Sequence, residues 1–475
     1  MKKRIIAYVL LWLPVFVNGS MASEGFVREN LKTFHEFRLG NGIPVVVKKT
    51  GQSRIRSVCV AVKGGKALVQ ADKAGLDKVT AKLMTMESKK YSDVARRALL
   101  KKTTATISAS DGLDYTQYAL KTIDSYFDET FDLFADLFIN PAFSERFFNE
   151  LIISLKSAYR SDLTDGYARA SYAVNRQFFA GHPYSSYLYT VKTLEAVTLD
   201  DVKKFYKDNY TASRIIVCAV GDFDIDALKK KLDATFGTIG QGTRAEEGGS
   251  GFALSPTPPL SLDSYSDLKK EVSYVRGNFP APGITDTDYW ALKLGTSIIS
   301  DILNDMVRTK NGMAYSVWAH LYAKQSNYGN ISIYKTNNPA GVIKLIRKSI
   351  DIAAQGRCLS PFTGNGNSGG YVSLEQALDF YKVSFSTKFY SGLQDNTSIA
   401  LKMADSYVHT GDCLNYLYVM NTVGSVTAQD VVRAVRSYVS GASIYWAVTA
   451  HPETVSLLEK DPREYAASAQ TVILQ

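Results

Sequence analysis

Lys78 and Lys82 stand four residues apart in the segment Gly75-Leu-Asp-Lys-Val-Thr-Ala-Lys-Leu83, a spacing that puts both side chains on one face of a helix. Two side chains so placed are what a helical zinc site uses, but lysine brings the wrong chemistry. Its ammonium has three donors and no free lone pair at neutral pH, so two of them repel a dication. The five histidines, His35, His182, His320, His409 and His451, are scattered singly and make no His-x-x-x-His or His-x-x-Glu pair. Each reads as a surface or hydrogen-bonded residue. The four cysteines sit in no metal-ligand spacing. Cys59 and Cys218 fall inside apolar strand-like runs, where a small buried thiol is common. Cys358 and Cys413 flank loop-like sequence and are the better disulfide candidates.

The elements that carry these residues follow from a weak internal repeat. Val197-Thr-Leu-Asp-Asp-Val202 recurs as Val426-Thr-Ala-Gln-Asp-Val431, each a helix start with a threonine cap and acids in its first turn. Downstream, Arg214-Ile-Ile-Val-Cys-Ala-Val220 recurs as Ser443-Ile-Tyr-Trp-Ala-Val448, a strand rich in branched and aromatic residues. Each strand leads into a further helical pattern, 224–236 and 453–459. Two tandem copies of one unit are therefore expected. The first copy opens with two strands around Asn41-Gly42 and continues through a strand at 57–62 to the helix of Lys78. A strand at 115–120 and helices at 126–138, 144–159 and 168–179 follow. The second copy begins with a strand at 270–279 and a helix at 288–307. Strands and helices mix without strict β-α-β alternation, which predicts α+β domains, each an antiparallel-rich sheet packed with helices.

The 475 residues, 45% hydrophobic and 21% charged, are far too many for one small core. Lys2, Lys3 and Arg4 precede an apolar run from Ile5 to Val17 and small residues at Ser20 and Ala22, the pattern of a secretory signal over 1–22. At about 13 residues the run falls short of the roughly 20 that span a bilayer. No stable membrane span is expected, and the mature chain is expected to be exported, periplasmic or extracellular. The domains expected are 23–237 and 268–475, with a Gly, Ser, Thr and Pro-rich linker at 238–267. A Gly, Asn and Ser run at 364–370 reads as an exposed insertion. The net charge of +9 falls to +6 once the three basic residues of the leader are set aside. The basic residues are dispersed, without the stripe that nucleic-acid binding uses.

The run Val58-Cys-Val-Ala-Val-Lys-Gly-Gly-Lys66, with Lys82-Leu-Met84, resembles the opening of the inverted-zincin peptidases, the pitrilysin or M16 family. Asn41-Gly42, Gly64-Gly65, His182-Pro183-Tyr184 and Val220-Gly221-Asp222 fall in the order that family uses, so the resemblance covers nearly all of the mature chain. It implies two tandem M16-type domains. In that family the first helix carries His-x-x-Glu-His, two zinc ligands and a general base, and a second helix gives a glutamate. Register on this chain puts Lys78, Ala81 and Lys82 at the motif and Leu155 at the third ligand, with Glu150 more than a turn away. The N-terminal unit therefore resembles a degenerate zinc domain, and the chain alone is predicted to be inactive.

Arg308-Thr-Lys-Asn-Gly-Met-Ala-Tyr315-Ser-Val resembles a segment of the family's C-terminal domain whose arginine and tyrosine reach bound substrate. A guanidinium can bond a carboxylate or a peptide carbonyl, and a phenol can donate to an oxyanion. The same residues also fit a plain helix end, with Arg308 in the last turn and Gly312 as the stop. Leu294-Gly-Thr-Ser-Ile-Ile-Ser-Asp301 departs from the family's glycine-rich segment at that place. The resemblance implies the non-zinc subunit of a heterodimer: zinc sits in a partner M16 subunit, none is bound by this chain, and Arg308 and Tyr315 contact the peptide substrate. The alternative it leaves is an inactive M16-like scaffold or peptide-binding protein.

Overall fold

The computed structural model describes residues 25, 27–51, 53–242, 252, 259–361, 370–460 and 469–471. The leader at 1–22 and most of the 364–370 run lie outside the described residues. Among the described residues no helix is long and apolar enough to cross a membrane.

The first sheet joins β1 (Phe34–Arg38), β2 (Pro44–Lys49), β3 (Ile55–Lys63), β4 (Thr106–Asp111), β5 (Tyr115–Ile123) and β6 (Ile215–Gly221) in the order β1-β2-β6-β3-β5-β4. The second joins β7 (Leu260–Ser264), β8 (Ser273–Pro280), β9 (Ala314–Leu321), β10 (Tyr328–Thr336), β13 (Tyr445–Ala450) and β14 (Ala469–Thr471) in the order β14-β7-β13-β8-β10-β9. A small hairpin, β11 (Arg357–Leu359) with β12 (Tyr371–Ser373), stands apart. The two orders superimpose strand for strand at five positions, and in each the one parallel pair internal to both repeats recurs, β2 with β6 and β7 with β13. The duplicated sequence is thus a duplicated sheet. The repeated helix starts are repeated too: Thr198 with Asp201, and Thr427 with Asp430, each form a reciprocal capping box.

The second sheet takes its first strand, β7, from within the segment expected as a linker, so its sequence begins before residue 268. Leu260 and Leu262 are fully buried in its core. The composition of 238–267 hides this, because the strand is short, five residues among those described.

Each sheet buries one face against helices of its own repeat. Phe131, Phe134 and Phe138 of the helix Phe127–Ile139 meet Phe236 beneath the first sheet, and Ile298, Ile299 and Ile302 of the helix Tyr289–Leu303 fill the second. The other faces are covered by exchange. The helix Gly166–Phe178, from the first repeat, lies on β8 and β13 of the second sheet. The helix Asn396–Thr410, from the second repeat, lies on β3 and β6 of the first. Arg169 makes a two-pronged ion pair with Asp263 at 2.6 and 2.8 Å, and Asn396 donates to the Ile55 carbonyl at 2.6 Å. A Cβ on Gly166 would lie 2.5 Å from the Tyr274 ring, so glycine lets the first of these helices seat.

All four cysteines are buried thiols. The fold does not bring the candidate pair Cys358 and Cys413 together. Cys413 sits 3.7 Å from Cys218, sulfur to sulfur, under the exchanged helix, while Cys358 lies in the core of the second sheet. Proximity along the chain is overridden by the helix exchange, which carries Cys413 into the first repeat.

Candidate functional site

Lys78 and Ala81 lie on the helix Leu76–Leu83, which starts after Gly75 in a left-handed conformation that only glycine adopts without strain. Ala81 is buried, and Lys82 is exposed. Leu155 is on the helix Glu145–Asp162 that packs against it, and its side chain is core. Lys78 Nζ donates to Asp111 Oδ1 at 2.9 Å. Lys66, just past β3, donates to Asp77 Oδ2 at 2.8 Å and to the other oxygen of Asp111. The result is a chain of alternating charge, Asp77, Lys66, Asp111, Lys78, largely removed from water. Burial works against a charged Lys66, but Asp77 and Asp111 outweigh it and hold its pKa above the ordinary lysine value. Burial likewise opposes the charge on Asp111, and the two ammonium groups prevail, holding that carboxyl below its usual range.

Lys66, Lys78 and Asp111 line a cleft of about 470 Å³ whose other wall is aromatic, formed by Tyr167, Tyr172, Tyr187 and Tyr189. From Tyr167 a train of rings leads across to the second repeat. Tyr167 lies 5.6 Å from Tyr334 between centroids, and Tyr334 lies 6.2 Å from Tyr315. Tyr315, first after Ala314 in β9, keeps 67% of its surface open to solvent. Arg308 projects from the wide-turn helix Asn304–Thr309 that extends Tyr289–Leu303, and its guanidinium sits 5.8 Å from the Tyr315 ring centre. Gly312, at φ 59°, ends that helix and turns the chain back into β9. The arrangement can donate hydrogen bonds to peptide carbonyls from Arg308 and Tyr315 and stack apolar or planar groups on tyrosine faces.

The sequence reading missed Lys66, Asp77 and Asp111 as a unit, although Lys66 and Asp77 frame the helix it singled out. It also treated His409 as one isolated histidine among five. His409 is fully enclosed, with Nε2 3.2 Å from Asp114 Oδ2 and Nδ1 3.2 Å from Asp405 Oδ1. Burial alone would depress its pKa, but the bonds to Asp114 and Asp405 push it up to about 9. Tyr184 donates its hydroxyl to Asp114, and Tyr115 donates to Asp405 at 2.8 Å. His182 has a structural part only: its Nδ1 accepts from the Tyr184 amide at 3.0 Å and its ring stacks on Phe252.

Two descriptions of protein families match the chain in tandem. Residues 44–188 match "Insulinase (Peptidase family M16)" and residues 196–357 match "Peptidase M16 inactive domain". The chain belongs to the M16 family. A curated M16 relative of Helicobacter pylori, named "Non-peptidase homolog YmxG", is 21% identical over 325 residues, covering 65% of this chain and 73% of that protein. An "Uncharacterized zinc protease SCO5738" of Streptomyces coelicolor is 25% identical over 265 residues, 53% of each, so the chain spans about half of that relative's length. Among solved structures, a protease from Helicobacter pylori superposes with a TM-score of 0.77 at 18% identity, covering 88% of this chain and 99% of that one. The M16 inactive domain from Pseudomonas fluorescens gives 0.75 at 16% identity, covering 88% and 98%. At such identities the likeness is one of fold.

The residues that the resemblance puts at the M16 zinc positions do not suit zinc. Lys78 offers a proton to Asp111 where a ligand must offer a lone pair, Ala81 has nothing to bind with, and Leu155 is committed to the core. Among the described residues no group of three or more His, Cys, Asp and Glu is placed to hold a metal.

Proposed function

We propose that this chain is the non-zinc subunit of an exported M16 heterodimer. It pairs with a zinc-bearing M16 subunit and holds the peptide with Arg308 and Tyr315 during hydrolysis. Zinc and the general base belong to the partner, so the work of this chain is to bind and orient. Arg308 grips a carbonyl or carboxylate of the peptide, and Tyr315 offers a phenolic hydrogen bond where negative charge develops. The observation that carries the reading is the contrast between the two ends of one train of aromatic contacts. At one end the motif helix is closed by Lys66, Lys78 and Asp111, and at the other Arg308 and Tyr315 stand open to solvent.

The test is reconstitution. The chain is purified from its native cell together with any zinc-bearing M16 subunit, and turnover of a fluorogenic peptide library is measured for the wild type, Arg308→Ala and Tyr315→Phe. A clear fall in both variants supports the role in trans, and unchanged turnover in both rejects it.

A second reading, an inactive M16-like scaffold that captures peptide without any cleavage, is favoured by the tyrosine-walled cleft and by the names of the family description and of the Helicobacter relative. Saturable peptide binding with no turnover in the presence of the partner would select it.

A further inference from the structure

Arg308 takes its direction from an unusual piece of backbone. At the end of the wide-turn helix Asn304–Thr309 the Lys310 amide donates to the Asp305 carbonyl at 2.8 Å, five residues back where a regular helix would reach four. The side chains of the same two residues are joined as well, the Lys310 ammonium donating to Asp305 Oδ2 at 2.6 Å. One pair of residues thus closes the loop twice, and Arg308 lies inside it. The Met306 carbonyl, which a regular turn would give to the Lys310 amide, instead accepts from the Asn311 side chain at 2.6 Å. Asn304 donates to the Val317 carbonyl at 3.2 Å, which ties the same helix to β9 two residues beyond Tyr315.

The side chain of Arg308 contributes little to its own placement. Among the described residues its guanidinium meets the Tyr315 ring and no hydrogen-bond acceptor. Its reach is therefore set by the backbone that carries it.

The Asp305 carboxylate is 5% exposed, so water competes little for its bonds. The oxygen that meets Lys310 also accepts from the Tyr371 hydroxyl at 3.1 Å. Tyr371 opens β12 in the hairpin β11–β12, and its ring centre lies 5.1 Å from the Lys310 ammonium. Burial and the Asp305 charge push the Tyr371 hydroxyl up to about 12, so at neutral pH it remains a donor to that carboxylate.

We propose, on the reading of Arg308 as the group that grips the peptide, that Asp305 is its positioning residue. Asp305 holds the wide turn closed on Lys310, and through Tyr371 it makes the direction of Arg308 answer to the hairpin β11–β12. Relaxing the wide turn to a regular one would swing Arg308 about the helix axis and off Tyr315.

Two measurements test this, one on the full chain alone and one on the pair with the zinc-bearing subunit. In the chain labelled with isotopic arginine, the Nε–Hε magnetic resonance signal of Arg308 is identified by its loss in Arg308→Lys. Asp305→Asn and Tyr371→Phe should each shift that signal, and Lys101→Gln, on an exposed helix of the first repeat, should leave it in place. Tyr371→Phe keeps its ring and serves where Asp305→Asn fails to fold. An unmoved Arg308 signal in every variant that folds would overturn the proposal. In the reconstituted pair, turnover of a fluorogenic peptide should fall roughly threefold or more in Asp305→Asn, and no further when Asp305→Asn is added to Arg308→Ala. Losses that add in the double variant would mark Asp305 as a merely structural residue and overturn the proposal. Wild-type turnover in Arg308→Ala would reject the role of Arg308 in trans, and the resonance measurement then decides the positioning by itself.

Discussion

Asp114, in the turn between β4 and β5, and His409, 295 residues later on the exchanged helix, meet at 3.2 Å with both side chains fully enclosed. The contact joins the two repeats, and the amide of Gln325, in the connection between β9 and β10, donates to the same carboxylate at 3.2 Å. Asp405, on the other side of the ring, is held far below the usual carboxylate range because the hydrogen bond and charge of His409, with Lys402, outweigh its burial.

The pair makes stability depend on pH with a definite sign. The folded pKa of His409, about 9, exceeds the unfolded value of about 6.5, so its contribution is complete below about pH 6.5 and lost as pH rises through about 9. Urea unfolding should show wild type losing on the order of 3 kcal/mol across that window, and His409→Gln losing little of it because its deficit is already present at pH 7. Asp405 acts on the acid side, where stability falls below about pH 4 as carboxylates take up protons. A flat profile between pH 6.5 and 9.5 would contradict the buried imidazolium.

Asp111 is the hinge of the charge chain beside the motif helix. Asp111→Asn removes the shared acceptor of Lys66 and Lys78 and leaves a buried ammonium with Asp77 alone. A loss of about 3 kcal/mol or more is expected by chemical denaturation. Lys78→Ala, at a more solvated position, should cost about 1 kcal/mol.

The thiols give a count. Burial raises the pKa of Cys59 and Cys218 above the ordinary thiol range and that of Cys358 to about 11. In the native protein at pH 7 an Ellman titration should find no rapidly reactive thiol, and four after denaturation. If oxidation is forced, mass spectrometry should find Cys218 joined to Cys413 and Cys358 unpaired.

Arg308 and Tyr315 should act on substrate and not on the fold. Tyr315 is mostly exposed, so Tyr315→Phe should change stability by less than about 0.5 kcal/mol. If its hydroxyl meets a developing oxyanion, turnover of the reconstituted pair should drop by roughly 10²-fold or more. Equal melting temperatures with lowered turnover separate the two effects.

Much of this was legible in the chain. The Val197 and Val426 segments predicted two copies of one unit because capping and strand patterning are local, and the two sheets repeat that order. The Asp114–His409 and Cys218–Cys413 contacts were not legible. Each depends on a helix of one repeat crossing to the sheet of the other, and no periodicity in Asn396–Thr410 names the sheet it will cover. The network around Lys66 was hidden for a different reason: it lies within the first repeat, but Asp111 reaches it from the end of β4, 45 residues along the chain from Lys66.

The central claim is the proposal that this M16 chain does not hydrolyse peptides by itself, because the resemblance puts Lys78 and Lys82 where zinc ligands would stand. The most direct measurement is the metal content of the isolated, homogeneous chain by plasma mass spectrometry, with cleavage of a quenched peptide library followed in added zinc. The account predicts no stoichiometric zinc and no cleavage. One tightly held zinc per chain, with cleavage abolished by a chelator, would contradict it.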